Sequence, residues 1–371
     1  MINPNYIYSI NQSVDVYRIG DDILEFYFIN SRRRVTLKVT LSVIEIISTL
    51  NEKDTILEIC LKNSIQFSTD VDAFLNYLLN ENIIYCVTRR EIEKKILPES
   101  DIERYDRQLN YFDSVFHKPS YEIQKRLQNE VVLIMGAGAM GSGIAVQLVM
   151  SGIKKIILID KGKVTFDSLQ RHFSFRNSDI GRSKVDALKD YLKRLDNNLI
   201  CETHQTIVDY DTSLDKWIDK SSFVINTLDE PYIGITSLKI GRICYEKKIP
   251  MFVAGGFDAH LMSTGELIIP NKTPCVDCYT SYFSEILKDW TPQYNLAAIP
   301  DTEILKNKFE VGGLASMSLF SVSYAVMTIL NYFATDTASH LGRGELLFDQ
   351  LEINYLNITK NPNCLTCGSA K

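Results

Sequence analysis

Four of the eight cysteines stand in two Cys-x-x-Cys pairs, Cys275-Val-Asp-Cys278 and Cys364-Leu-Thr-Cys367, with 85 residues between the pairs. Two chelating thiolate pairs supply the four soft ligands of a tetrahedral Zn²⁺ closed to solvent, which is a structural rather than a catalytic site. Neither pair opens a helix after a strand in a thioredoxin-like unit, which argues against a redox role. The other four, Cys60, Cys86, Cys201 and Cys244, lie in apolar stretches and read as core residues.

A second constellation begins at Gly136, Gly138 and Gly141, a Gly-x-Gly-x-x-Gly turn directly after an apolar run and at the mouth of a helix. Small residues there let backbone approach a phosphate, and the helix N-terminus favours its charge. Asp160 follows 19 residues beyond Gly141, at the end of the next apolar run, where a carboxylate can accept hydrogen bonds from ribose hydroxyls. These four positions specify a nucleotide but not which one, and a dinucleotide dehydrogenase satisfies them too. Downstream, Arg171 and Lys184 add two cations, and Asp229 ends a later apolar run. Hydride transfer needs no such set. Attack on a triphosphate does, because charge on the α- to γ-phosphates and a metal ligand stabilise the reaction. Singly, Arg171 or Lys184 suits a solvated surface charge and Asp229 a turn or helix cap; their order and spacing carry the weight.

The elements that must position these residues are legible as hydrophobic period. Val131 to Met135, the glycine turn, a helix to about Ser151 and Lys155 to Asp160 make a βαβ unit, which predicts a parallel sheet with helices on both faces. Further strands are expected at Ile200 to Thr203, Phe223 to Asn226 and Pro250 to Ala254, with helices at Lys184 to Leu195, Ile233 to Lys247 and Ala315 to Phe333. Before them, strands at Val14 to Arg18 and Ile23 to Ile29, three helical stretches between Leu41 and Leu79, and a returning strand at Ile83 to Val87 predict a winged-helix-like module. The charged stretch Thr88 to Ser100, with Pro98, reads as the linker. The expected layout is a module over 1–92, a linker and helical arm over 93–120, and a Rossmann-like α/β domain over 121–371. Within the last, a crossover loop is expected at about 285–312.

With 40 basic and 46 acidic residues in 371, the net charge of −6 gives no electrostatic support to a nucleic-acid role. The first residues, Met1 to Gln12, carry no basic-then-apolar leader pattern. No uninterrupted apolar run approaches a membrane span, so a cytoplasmic chain without a membrane partner is expected.

Over roughly residues 100 to 371 the chain resembles the ThiF/MoeB/MccB superfamily, the ubiquitin-activating-enzyme fold. The carriers are Arg104-Tyr-Asp-Arg107-Gln108 before the glycine loop, the loop itself, Asp160, the segment Ser168-Leu-Gln-Arg171-His172, Lys184, Asp229 and the cysteine tetrad. The resemblance implies ATP, or another NTP, as cofactor, with Mg²⁺ and a structural Zn²⁺. It implies that Asp160 binds ribose, Arg171 and Lys184 contact phosphates, Asp229 holds Mg²⁺, and Arg107 reaches into the partner's site of a two-fold homodimer. Where the family has Asn-Leu-x-Arg-Gln, this chain has Ser168 and His172; Ser168 is expected to hydrogen-bond a phosphate or ribose oxygen. Where relatives often carry a second acidic residue after the ribose aspartate, it has Gly162.

No cysteine lies between Cys278 and Cys364, where transthiolating relatives keep a nucleophile, so no covalent thioester step is expected. The N-terminal module is the distinctive part. It resembles the peptide clamp, or recognition element, of MccB-like microcin C enzymes, which implies adenylation of the C-terminus of a short ribosomal precursor peptide. The aromatic strand near Tyr17, Phe26, Tyr27 and Phe28 either pairs with that peptide or packs the module's core. Two alternatives are a catalytically silent leader-peptide partner of a thiazole/oxazole cyclodehydratase and an activator of a ubiquitin-like sulfur carrier.

Overall fold

The computed structural model describes residues 1–116, 118–229, 233–255, 261–286, 314–338, 342–347 and 352–368. The crossover segment expected at about 285–312 lies, from residue 287 onward, outside the described residues. The chain divides into two compact units, Met1–Lys125 and Arg126–Lys371.

The N-terminal unit runs β1 (Tyr8–Ile10), β2 (Val14–Ile19), β3 (Ile23–Phe28), β4 (Arg34–Lys38), α1 (Leu41–Thr49), α2 (Ile56–Lys62), α3 (Thr69–Asn80), β5 (Ile84–Cys86), α4 (Val87–Lys94) and α5 (Glu99–Phe116). Strands β2, β3 and β4 form an antiparallel sheet in that order, and β1 pairs with β5. Phe26 and Leu24 point from β3 into a core with Ile46, Ile56, Ile59, Leu75 and Leu78. A Thr55–Glu58 capping box starts α2, satisfying two otherwise orphaned backbone donors.

Two features of this unit bear on what the sequence left open. The aromatic strand Ile23–Phe28 is central, hydrogen-bonded on both sides, and Phe26 is fully buried, so this strand packs the core and has no free edge for a peptide. The stretch read as a linker holds helix α4, which buries none of its residues and therefore shows no apolar stripe in the sequence. Helix α5 packs within the same unit. Tyr105 and Leu109 bury beside Leu97 and Tyr121, and Arg90 of α4 bonds Asn110 at 2.8 Å and pairs with Asp113 at 3.2 Å.

The unit boundary falls within α6 (Ser120–Asn129). The second unit continues β6 (Val131–Met135), α7 (Ala139–Met150), β7 (Lys155–Ile159), α8 (Ser168–Arg171), α9 (Lys184–Leu195), β8 (Ile200–His204), α10 (Asp215–Ile218), β9 (Phe223–Asn226) and α11 (Ile233–Glu246). Next come β10 (Met251–Val253), β11 (Leu261–Ser263), β12 (Glu266–Ile268), α12 (Val276–Ile286), α13 (Ala315–Thr335), β13 (Gly344–Leu347) and β14 (Glu352–Tyr355).

Its main sheet has the order β12-β10-β9-β6-β7-β8, parallel throughout except for β12. The parallel strands are apolar and mostly buried, as expected where helices cover both faces. From β6 the chain winds outward through β7 to β8, then crosses to β9 on the other side of β6, so the order reverses between β6 and β9. Ligands of doubly wound sheets bind in the crevice at the carboxyl ends of the strands at that reversal.

Helix α7 is apolar all round and buried, packing closely on α13, where Gly143 leaves no room for a Cβ against Val322. Helix α13 is the one described helix long and apolar enough to cross a membrane, and 56% of its most apolar window is buried inside the protein. That burial against α7 and β11 makes it a core helix.

Candidate nucleotide site and four-cysteine centre

The glycine turn is tied down before any ligand arrives. Gly136 has φ +98°, a backbone that favours glycine, and a Cβ there would overlap the Thr227 hydroxyl. A Cβ on Gly141 would overlap the Gly136 carbonyl oxygen, so the third glycine lets helix α7 start tight against strand β6. Gly138 faces open space, leaving room over the helix N-terminus. Thr227 Oγ1 donates toward the Met135 and Gly136 carbonyls, each 3.1 Å away, and so staples β9 to the turn. Asp160 accepts from Ala137 N–H through Oδ2 and from Gly162 N–H through Oδ1, both at 2.6 Å. The expected ribose ligand thus also braces the loop.

These groups line a cavity of about 510 Å³ at the reversal between β6 and β9. Gly136, Gly138, Asp160, Arg171, Lys184 and Asp229, each singled out from the sequence, all border it. Lys184 stands at the first position of α9 with its backbone N–H on the Gly162 carbonyl at 3.0 Å. The missing second acidic residue has a local reason: a Cβ at Gly162 would sit 3.0 Å from Asp160 Oδ1 and 3.4 Å from the Lys184 stem.

Sequence reasoning missed several wall residues. Lys161 adds a third cation, and Asp167 adds a carboxylate held below the usual range by the Thr165 hydroxyl, with Arg171 and Lys184 contributing. Ile207, Val208, Leu228 and Ile233 give one side an apolar surface suited to a planar base. Buried Asn226 donates to Thr236 and Ser237 and accepts from Leu228 N–H, which shapes the turn that presents Asp229. All but Ile233, which opens α11, lie in loops or at strand ends, where period carries no information; only their place after β7, β8 and β9 could have flagged them.

Three sequence-derived positions fall elsewhere. Ser168 is 2% exposed and does not line the cavity; its hydroxyl is exchanged with Thr165 at 2.9 Å and accepts Thr165 N–H at 3.1 Å. Gly141 acts behind the cavity wall, through packing. Arg107 is exposed on α5 and lines a different cavity, of about 540 Å³, inside the N-terminal unit with Tyr85, Arg90, Asn110 and Asp113.

The four cysteines converge from α12 and the C-terminal loop. Their sulfurs lie within 4.8 Å of one another, with Cys275 to Cys278 at 3.9 Å, Cys275 to Cys364 at 3.5 Å and Cys278 to Cys367 at 3.4 Å. A tetrahedral Zn–S₄ centre with bonds of about 2.3 Å needs sulfurs roughly 3.8 Å apart, so the donor set fits zinc. Asp277 sits between the first two ligands and binds Arg242 at 2.6 Å and Thr366 at 2.6 Å, tying the two knuckles together. Asn361 N–H points at Cys278 Sγ at 3.4 Å. Of the remaining cysteines, Cys60, Cys201 and Cys244 are buried as expected and Cys86 is half-buried.

A crevice with this glycine turn, carboxylate and cation set, on this sheet, is the fold of the ThiF/MoeB adenylyltransferases. The model described as "ThiF family" matches residues 105–366, and the chain belongs to that family. Among curated relatives, the adenylyltransferase and sulfurtransferase MOCS3 of Caenorhabditis briggsae is 26% identical over 282 residues, covering 73% of this chain and 62% of that protein. The vegetative HesA protein of Trichormus variabilis is 27% identical over 186 residues, covering 49% and 64%. The chain thus spans less than two thirds of the length of these relatives. Among solved structures, E. coli MccB with ATP superposes with a TM-score of 0.74 at 17% identity, covering 97% of this chain and 99% of that one. The corresponding values for PaaA are 0.68, 20%, 94% and 100%. At such identities these likenesses establish the fold, including the N-terminal unit.

Proposed function

We propose that this chain is an ATP-dependent adenylyltransferase that activates the C-terminus of a short ribosomally made peptide, as in microcin C-like antibiotic biosynthesis. The observation that carries the reading is the cavity at the strand reversal, where Asp160, Arg171, Lys184 and Asp229 meet the glycine turn. Whole-chain likeness to MccB, whose structures include complexes with ATP and with MccA, supports the peptide as substrate.

In this reading ATP lies with its ribose on Asp160 and its phosphates over the N-terminus of α7. The peptide carboxylate attacks the α-phosphorus; a bond forms between a carboxylate oxygen and that phosphorus, the bond from it to the oxygen bridging to the β-phosphate breaks, and pyrophosphate leaves. Arg171, Lys184 and Lys161 offset the charge that moves onto the leaving group, which is the larger part of catalysis in such transfers. Asp229 would hold Mg²⁺, which supplies further charge neutralisation on the phosphates. Arg107 completes the partner's site in a two-fold homodimer. The peptide docks on the N-terminal unit along β4, an edge strand whose exposed Arg34 and Lys38 flank an unpaired backbone edge.

ATP–pyrophosphate exchange tests the reading: purified protein with Mg²⁺ and a C-terminal-Asn heptapeptide encoded beside the gene should exchange, and Asp229→Ala should abolish it. Tight peptide binding without exchange would favour the catalytically silent presenter instead. The MOCS3 likeness over 73% of the chain favours a second reading, activation of a ubiquitin-like sulfur carrier. Exchange driven by such a carrier and not by peptide would establish it.

A further inference from the structure

His172 occupies the position where relatives carry glutamine, and its surroundings give that exchange a chemical meaning. The ring is 4% exposed, stacks on Phe175 at 5.0 Å with 30° between planes, and borders the nucleotide cavity. Its Nδ1 lies 2.6 Å from the Ser168 carbonyl oxygen. A carbonyl only accepts, so the proton sits on Nδ1 and Nε2 presents a lone pair. That Nε2 is buried with no hydrogen-bond partner among the described residues.

The charges around the ring come from three elements: Arg171 on α8, Lys184 on α9 and Asp160 at the end of β7. Helix α13, which also packs on α8, carries no Lys, Arg, His, Asp or Glu. Burial first, and then Lys184 and Arg171, push the imidazole down to about 4, so the empty site holds it neutral. A polyphosphate reverses that balance. It brings several negative charges against the same two cations and offers oxygens that can only accept.

We propose that His172 is a positioning residue for the polyphosphate, taking a proton from solvent onto Nε2 when the nucleotide binds and donating it to a phosphate oxygen. Glutamine offers an N–H at a comparable reach without titrating, so histidine here would make a contact of that kind proton-coupled. Nucleotide affinity then rises as pH falls toward about 6, by about threefold per pH unit where the bound ring is half protonated and by up to about tenfold where it is fully protonated and the free ring still neutral. The inference rests on the nucleotide reading of the cavity.

Calorimetric titration of ATP into the full-length protein, in buffers of differing ionisation enthalpy, counts the protons taken up. Near pH 6 the wild type should take up more than His172→Gln, the difference approaching one proton and shrinking by about pH 8. Equal counts, with ATP bound by both, overturn the role of His172 alone. An absence of ATP binding by the wild type overturns this inference and the nucleotide site together. Should the variant fail to fold, ¹⁵N spectra of the wild type decide. The Nδ1–H neutral ring should become imidazolium on saturation with ATP, and a ring that stays neutral near pH 6 rejects the proposal.

Discussion

The two chemical centres of the second unit are held in opposite ways. At the nucleotide crevice the protein supplies its own braces: Asp160 holds Ala137 and Gly162, Thr227 holds the glycine turn, and Asn226 holds the loop that carries Asp229. At the cysteine centre four sulfurs face one another at 3.4–3.9 Å, and the charged bracing through Asp277 lies outside them. The crevice is therefore built to exist empty, whereas the tetrad presents four soft donors at the spacing a cation at its middle would need. Preorganisation serves a ligand that must leave; a permanent ligand can itself be the brace.

The largest expected effect separates the two directly. Stripping metal with a chelator, or replacing Cys364 and Cys367 by serine, should cost the second unit on the order of 10 kcal/mol and unfold it cooperatively. Circular dichroism followed alongside metal content checks this, and an unchanged melt in metal-free protein would break the contrast. Next, Asp229→Ala should lower pyrophosphate exchange at least ~100-fold, about 3 kcal/mol of transition-state stabilisation. Because Asp229 is exposed, its melting temperature should hold, so a large drop would place the residue among the braces.

His172 gives a pH signature of the empty crevice. Its folded value of about 4 lies below the unfolded value near 6.5, so the unfolded chain binds the proton first as pH falls. Stability is fully present above about 6.5 and falls between there and about 4, by on the order of 3 kcal/mol at most. His172→Gln should flatten that interval in urea melts taken across pH, and parallel curves for the two proteins would contradict the buried neutral ring. Smallest, Thr227→Val removes the staple between β9 and the glycine turn at about 1 kcal/mol of stability, with weaker ATP binding at equal fold. An unaltered ATP affinity would show that Asp160 suffices to hold the turn.

What the sequence made legible follows the same division. The βαβ unit, the glycine turn and the cysteine knuckles were readable because each demands particular residue types at short range. Strand β9 ends at Asn226 as its apolar run implies, and Lys184 opens α9. The surroundings of Ser168 could not be read from the motif: its side chain turns back and joins Thr165, a contact that depends on the local turn. Edge strand β4 was missed although Arg34-Val-Thr-Leu-Lys38 alternates, because the preceding arginines mask it as a charged loop. Helix α4 buries nothing and so left no stripe. The braces at Asn226 and Thr227 depend on contacts across 91 residues or on buried partners in a following helix, which no local pattern records.

The split of the tetrad also bears on how such a chain diversifies. The 85 residues between Cys278 and Cys364 start and finish at one clasp. Closing a loop costs only about 0.6 kcal/mol more for each doubling of its length, so a clasped stretch tolerates insertion and rewriting far better than a strand inside the sheet does. Because that stretch also contains α13, which packs on α7, the clasp frees only the connections around that helix: a lineage can vary their length while the crevice beside the sheet stays as it was.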